Sequence, residues 1–480
     1  MTYRTRTLVK AMIGLVVLTG LSFFAYHGVY RSGHRQARQQ VEARLVLKFD
    51  KQSIARLLIQ QGSSKNVLIR TGKDSQQQPT WGLVEPVEDE GDPVTINSLL
   101  GVLQRMETVR VLIKQDTQEL ADYGLAPPRA RIELTTDQGN QLGLLIGKKN
   151  SFSDVLYLQR QAEQDVLVVK GKLERSLLRK TFDLRRKQLM RIDTRQVRKL
   201  RIINSKGQIE LEKKNDVWQI NSPIVDRADQ AEVSKILNTI HSLRAISFIE
   251  DGQTQMKAYG LDPAGITIEL DVGDDLQLKS IGLGHGSLEE NRSKSFARRV
   301  EPPGPVAEIG RYQISNLDKQ PFDLQAKAPL EFNQADVFKI KMASSEKLVV
   351  LEKKITAKKP QKDKRPGPKE SWSLVSPVSA PAKRPLVMTF LRGLRGLKAK
   401  KFGGVKAKLE LSKFGLEQPE QSIQLYDENG KEIGNLKVGA STQAGVWVVG
   451  TSLDKVCWID RQIIQGLFLK PEKIRDSQAK

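Results

Sequence analysis

The chain has 480 residues, of which 78 are lysine or arginine and 55 aspartate or glutamate, so its net charge is +23; 39% are hydrophobic. This length suits two to four domains, and the apolar fraction excludes a chain that is disordered throughout. The single cysteine, Cys457, excludes an internal disulfide and a multi-cysteine metal site. The positive charge favours anionic partners and says nothing of the fold.

Residues 11–30 form a run of 20 residues without a charged side chain. A helix of this length spans about 30 Å, the thickness of a bilayer's hydrocarbon core. The pattern therefore predicts one N-terminal transmembrane helix, with a cleaved signal peptide as the alternative. Cations lie on both sides of the run, so charge does not set its orientation. The short head before it favours a location outside the cytoplasm for the rest of the chain.

Three tryptophans, Trp81, Trp218 and Trp372, begin the same series of apolar residues and a proline. Each is followed by a set spaced to cover one face of a helix. The prolines are Pro86, Pro223 and Pro377, and the helical sets are Ile96, Leu99, Leu100, Leu103 and Met106; Val233, Ile236, Leu237, Ile240 and Leu243; and Val387, Phe390, Leu391, Leu394 and Leu397. The series indicates three tandem copies of one unit, each with a tryptophan in its core.

The copies continue in register beyond the helix. A buried corner with glycine at positive φ is expected at an aromatic-Gly-Leu motif, and strands follow it. The motifs are Tyr123-Gly124-Leu125, Tyr259-Gly260-Leu261 and Phe414-Gly415-Leu416, then Ile146-Gly147, Ile281-Gly282 and Val438-Gly439, and finally, in the first two copies, Phe182-Asp183-Leu184 and Phe322-Asp323-Leu324. The third copy is expected to end near Phe468 and Leu469.

The predicted fold class is α+β: one transmembrane helix followed by three tandem copies of an antiparallel-sheet-plus-helix unit. In the second copy, a hairpin at Ser205-Lys206-Gly207 and a third strand containing Trp218 precede a helix from about Asp229. A meander and a short helix complete the unit. The predicted divisions are 1–44 (head, span and linker), 45–191, 192–331 and 332–480.

The order of these motifs after an N-terminal span resembles domain-of-unknown-function family 4340, over about residues 45–475. The resemblance implies a tandemly repeated, membrane-tethered domain held outside the cytoplasm. It also implies a gene neighbourhood with an ABC-type export system similar to the gliding-motility auxiliary transporter. The family supplies no catalytic residues, and Phe414 departs from its tyrosine.

The sequence contains few residues in patterns typical of catalytic, metal-binding or phosphate-binding sites. The histidines His27, His34, His241 and His285 lack metal-ligand spacing. The glycine-rich run 282–286 lacks the Lys-Ser/Thr of a phosphate loop and is interpreted as a turn. Asp89, Glu90 and Asp92 are interpreted as a solvated acidic loop. No catalytic, cofactor-binding or metal-binding residue is predicted, and no cofactor.

The third copy carries a basic insertion between two predicted strands, with prolines that disfavour regular structure. Its cations are candidates for contact with an anionic surface such as lipid headgroups. They are Lys353, Lys354, Lys358, Lys359, Lys362, Lys364, Arg365 and Lys369. The alternative is a solvated loop that contributes only solubility.

These features predict a non-enzymatic, membrane-anchored, extracytoplasmic scaffold in the cytoplasmic membrane. The family resemblance implies that it is an accessory to an ABC-type exporter. The expected partners are the membrane and transporter subunits, without a small-molecule substrate. One alternative is a binder of anionic polymer, either nucleic acid or acidic envelope glycan, which the net positive charge favours. The other is a hydrolase whose site the sequence does not reveal.

Overall fold

The computed structural model describes residues 43–74, 77–113, 116–249, 255–286, 293–344, 347–356 and 369–476. They form three nine-stranded antiparallel sheets. The α+β assignment is wrong, because strands dominate and each sheet has only one helix of 12 residues. The predicted span at 11–30 lies outside the described residues. Among those described, no helix has the length and apolar character needed to cross a membrane.

The first copy is a sheet whose strand order is β4-β3-β2-β1-β6-β7-β8-β9-β5. Its strands are β1 (Ile54–Gln61), β2 (Ser64–Lys73), β3 (Pro79–Glu85), β4 (Asp89–Glu90), β5 (Arg110–Leu112), β6 (Ala130–Thr136), β7 (Gln141–Asn150), β8 (Val155–Arg160) and β9 (Val166–Lys170). Its helices are α1 (Pro93–Gln104), α2 (Thr117–Asp122), α3 (Glu174–Leu177) and α4 (Thr181–Leu184).

The second copy repeats this order as β13-β12-β11-β10-β15-β16-β17-β18-β14. Its elements are β10 (Val197–Asn204), β11 (Gly207–Lys214), β12 (Val217–Ser222), β13 (Asp226–Arg227), α5 (Gln230–His241), β14 (Ser247–Ile249), β15 (Ile266–Val272), β16 (Gln277–His285), β17 (Ser295–Glu301), β18 (Val306–Ile309), α6 (Arg311–Leu317) and α7 (Pro321–Leu324).

The third copy has the order β22-β21-β20-β19-β24-β25-β26-β27-β23. Its elements are β19 (Lys339–Ser344), β20 (Leu348–Thr356), β21 (Lys369–Ser376), β22 (Ala380–Ala382), α8 (Arg384–Arg395), β23 (Lys401–Val405), β24 (Gln421–Tyr426), β25 (Glu432–Ser441), β26 (Gly445–Gly450), β27 (Lys455–Asp460), α9 (Arg461–Leu467) and α10 (Pro471–Ile474).

Each sheet packs its apolar face against its 12-residue helix. The predicted helical faces are buried: in the first copy Ile96, Leu99, Leu100 and Leu103 are fully inaccessible to solvent. Trp81, Trp218 and Trp372 retain 3%, 5% and 2% of their accessible surface, which confirms their place in the cores. The sequence pattern is thus explained by hydrophobic burial between sheet and helix.

Local turns follow from the residues that form them. Asn215 and Asp216 both adopt positive φ, as a two-residue hairpin turn between β11 and β12 requires. Gly124, Gly260 and Gly415 have φ of 68°, 65° and 64°, which confirms the predicted left-handed corner.

The aromatic residue of each corner packs on one strand of the meander. The ring centroids of Tyr123 and Tyr157 are 4.8 Å apart, those of Tyr259 and Phe296 4.8 Å, and those of Phe414 and Trp447 5.1 Å. Phe414 is compatible with this corner because the recurring contact is between rings.

The described chain packs as two compact units. One contains residues up to Val197 together with Leu237–Asp318, and the other contains Arg198–Ile236 together with residues from Lys319 onwards. The division passes through the second copy, so each unit holds one junction between successive copies. The predicted divisions at 44, 191 and 331 stay predictions.

Candidate functional site: the junctions between successive copies

Each copy ends in a one-turn helix, and in the first two copies this helix begins the junction with the next copy. The segment is fixed to its own copy by the same backbone hydrogen bond each time. Asp92 N donates to Leu184 O over 2.7 Å, and Asp229 N donates to Leu324 O over 2.7 Å. In the third copy Lys383 N donates to Ile474 O over 2.8 Å. These bonds make α4, α7 and α10 equivalent.

The phenylalanine of each Phe-Asp-Leu motif packs against a phenylalanine on a short edge strand of the next copy. The ring centroids of Phe182 and Phe248 are 5.8 Å apart, and those of Phe322 and Phe402 are 5.5 Å apart. Such tilted pairs are favourable aromatic geometries. The motif predicted as the end of a unit is therefore also a contact with its successor.

A lysine five residues after each of these phenylalanines lies over its ring. The Nζ of Lys187 lies 4.7 Å from the ring centroid of Phe182, and that of Lys327 lies 4.8 Å from that of Phe322. Burial lowers the pKa of Lys327, while the nearby carboxylates of Asp323 and Asp229 oppose that effect. Both lysines thus lie within cation–π range of the junction phenylalanine.

A second cation lies between a carboxylate and the receiving phenylalanine at both junctions. At the first, Arg185 Nε is 2.7 Å from Asp89 Oδ2, and its guanidinium carbon lies 3.7 Å from the ring centroid of Phe248. The Arg185 and Asp89 side chains are only 6% and 8% exposed. Both partners belong to the first copy, and removing either would leave a buried charge unpaired. The pair therefore positions the guanidinium against Phe248 of the second copy.

At the second junction the cation comes from the opposite side. Lys455, on the last strand of the third copy, pairs with Asp226 and lies 4.5 Å from the ring centroid of Phe402. Gln325, at the position of Arg185, donates from Nε2 to Asp226 Oδ2 over 2.6 Å. The arrangement of carboxylate, cation and ring is kept, while the residue that supplies the cation changes.

The end of the third copy lacks both junction groups. The pairing of β21 with β22 places Ala380 at the position of Asp89 and Asp226. Within α10, Glu472 occupies the position of Phe182 and Phe322 and is exposed. The third copy, expected to end near Phe468 and Leu469, continues a few residues further through α10.

The acidic residues predicted as a solvated loop are structural. Asp89 forms the buried pair, and Glu90 pairs with Arg186 and Arg299, each over 3.0 Å. Asp92 caps α1, because its Oδ2 accepts from Thr95 N over 3.2 Å. The recurrence of aspartate eight residues after Trp81 and Trp218 is the sequence signal that could have revealed the junction.

A cleft of about 890 Å³ adjoins the first junction, lined by Glu90, Arg299, Lys279, Asp193 and His241 among others. The Nδ1 of His241 lies 2.8 Å from Ile192 O. Hydrogen bonds from Arg195 hold the pKa of Asp193 below its usual value. Charges of both signs line this cleft, and they select no ligand class. Within the described ranges, no group of three or more His, Cys, Asp or Glu side chains could hold a metal ion.

The glycine-rich run 282–286 is neither a phosphate loop nor a turn, because most of it lies in β16. A Cβ on Gly284 would lie 2.0 Å from Gly260 O, and one on Gly439 would lie 2.2 Å from Phe414 O. Gly147 has the same relation to Tyr123 O. Gly284 is thus the equivalent of Gly147, and the predicted equivalent Gly282 is wrong.

The predicted basic surface is only partly described. Lys353 is buried, with its Nζ 2.5 Å from Ala335 O and 3.9 Å from the ring centroid of Phe338, so its assignment to a surface is wrong. Lys354 is exposed. Residues 357–368 and the side chain of Lys369 lie outside the described part of the chain, so contact by Lys358, Lys359, Lys362, Lys364, Arg365 and Lys369 stays a prediction.

The fold and its junctions define a tandem-repeat protein of three antiparallel sheets joined by a recurring aromatic and ionic contact. The model of the family described as Domain of unknown function (DUF4340) matches residues 81–262, 218–370 and 372–479. The chain belongs to this family.

Two further comparisons add no inference. A search of curated proteins finds no match. Among solved structures, the crystal structure of the DNA polymerase sliding clamp from Pseudomonas aeruginosa with ligand is similar at 8% identity and a TM-score of 0.14. The match covers 88% of this chain and 95% of that one.

Proposed function

We propose that this protein is a non-enzymatic interaction scaffold whose successive copies are joined by a recurring contact. One observation carries the proposal: both junctions contain a pair of phenylalanines and a cation between a carboxylate and a ring, although different residues supply that cation. In repeat proteins, such nearest-neighbour contacts set the arrangement of the surfaces that bind partners. A protein that positions partners needs this constancy.

The proposal places the scaffold on the extracytoplasmic side of the cytoplasmic membrane, as an accessory of an ABC-type export system. This part is supported by the resemblance of the motif order to repeated domains encoded beside such systems. A reporter active only outside the cytoplasm, fused after Lys480, should be active. Activity of only a cytoplasm-specific reporter in the matched fusion would contradict the location.

The scaffold role is tested by photo-crosslinking in living cells. A photoreactive amino acid replaces Val94 in the first copy or Val378 in the third, whose side chains are 75% and 55% exposed. Each probe is expected to give discrete adducts that contain export-system subunits, identified by mass spectrometry. Adducts with nucleic acid or glycan alone would contradict the proposal, with unirradiated cells as the control.

A second candidate is the binding of an anionic polymer, supported by the net charge of +23. Binding of this kind weakens steeply as salt rises, because counterions are released on association. A gel-shift series with DNA, RNA and an acidic glycan at two salt concentrations tests it. Retardation that is lost at high salt would favour this candidate over the scaffold.

A further inference from the structure

The first copy has a face that corresponds to the surfaces on which the second and third copies pack against the Phe-Asp-Leu turn of the preceding copy. What we infer about this face rests on the proposed scaffold function. We call it the open face: the residues Val109, Arg110 and Val111 together with the groove beside them. The groove has a volume of about 840 Å³ and lies between β5 and the end of α1.

Strand pairing establishes the equivalence. Val111 lies opposite Leu167 on β9, as Phe248 lies opposite Ala307 on β18 and Phe402 opposite Cys457 on β27. In the second and third copies this position is covered by the Phe-Asp-Leu turn of the preceding copy. In the first copy Val109 and Val111 are 63% and 41% exposed among the described residues. Valine in place of phenylalanine also leaves room for a larger side chain.

The position that corresponds to the junction phenylalanine holds another residue both in the sequence before the first copy and at the end of the third copy. Arg44 O accepts a hydrogen bond from Thr108 N over 2.8 Å, as Lys187 O does from Ala245 N and Lys327 O from Ala399 N, each over 2.8 Å. The phenylalanine stands five residues before each lysine, and the residue five before Arg44 is Gln39. In the third copy the matching residue is Glu472.

The charge around the groove indicates the chemistry of an occupant. Arg44, Arg105, Arg110 and Lys170 line it and are exposed, with Glu107 as the acidic residue beside them. A cationic rim around an aliphatic floor is complementary to a segment that combines an aromatic side chain with carboxylates.

We propose that the open face binds a one-turn helical segment of another protein, with an aromatic residue packed on Val111 and acidic residues against the cationic rim. This is the contact of the Phe-Asp-Leu turns, made between molecules. The partner is thus defined by an aromatic residue flanked by carboxylates.

The test uses the full chain and a fluorescein-labelled peptide: the sequence of residues 320–325 with two added glutamates at each end. Anisotropy at low salt should show saturable binding, and the same peptide with alanine for phenylalanine should bind at least about tenfold more weakly. Val111→Glu should abolish most of the binding. Val225→Glu, at a valine that is 87% exposed elsewhere, should leave it unchanged.

Every outcome decides the inference. Absence of binding to the full chain would mean that another segment covers the face, and would overturn it. Binding that Val111→Glu leaves unchanged would place the peptide elsewhere, with the same result. If Val111→Glu lowers the melting temperature, Arg110→Glu carries the test instead. The crosslinking experiment is independent of this peptide, so failure here leaves the scaffold proposal to its own test.

Discussion

Phe322→Ala removes the ring that joins the second copy to the third. Phe322 is partly buried, and full burial of a phenylalanine is worth about 1.5–3 kcal/mol, so this share is about 1–1.5 kcal/mol. The tilted pair with Phe402 adds about 0.5–1.5 kcal/mol. The expected loss of junction stability is therefore about 1.5–3 kcal/mol.

Hydrogen exchange followed by mass spectrometry measures this loss locally, which matters because a protein of several copies does not unfold in one step. Amides of β23, the edge strand that Phe322 covers, should exchange about 12- to 160-fold faster in the variant. Glu472→Ala, the same position in the third copy, should leave exchange in that copy at the parent rate. Unchanged exchange of β23 in a folded Phe322→Ala variant would refute the junction argument.

Three further outcomes are expected. Gly284→Ala should lower the free energy of unfolding by more than about 1–3 kcal/mol, because its Cβ would lie 2.0 Å from Gly260 O. The control is Gly466→Ala, whose Cβ would meet nothing within 4 Å and should be tolerated. Thermal unfolding compares the two variants. Burial raises the pKa of Cys457 to about 12, so a thiol reagent at pH 8 should react with it only after unfolding. Because the unfolded thiol loses its proton near pH 9.0, its contribution to stability is present below that pH and should be lost as pH rises towards about 12. Binding to anionic liposomes at low salt, measured by co-sedimentation, should weaken when the seven cations from Lys354 to Lys369 are changed to glutamine. Equal binding by the parent and this variant would show that the insertion does not contact the lipid surface.

The features readable from sequence are those set within one copy. The spacing of Val233, Ile236 and Ile240 predicts a buried helical face because a helix has 3.6 residues per turn. Strands as short as β5, with three residues, carry no readable alternation, so the sequence pattern underestimates the strand content.

The junctions were missed because each joins residues far apart in sequence and in different copies. Phe182 lies at the end of the first copy and Phe248 lies on an edge strand of the second. Alignment of the copies therefore does not bring these two positions together. The cation is also hidden, since Arg185 supplies it from the earlier copy and Lys455 from the later one. Comparison of copies position by position cannot detect a contact whose residues exchange sides.

The earlier copy supplies the cation at the first junction and the later copy supplies it at the second. This difference provides the most direct test of the central claim, that one kind of junction joins all three copies. Lys455→Ala leaves Asp226, whose side chain is 13% exposed, with Gln325 alone, and should destabilise the second junction by about 3 kcal/mol, measured by exchange of β23 amides. Adding Gln325→Arg places a cation where Arg185 lies in the first junction, and we predict recovery of most of the loss. A double variant no more stable than Lys455→Ala alone would contradict the account.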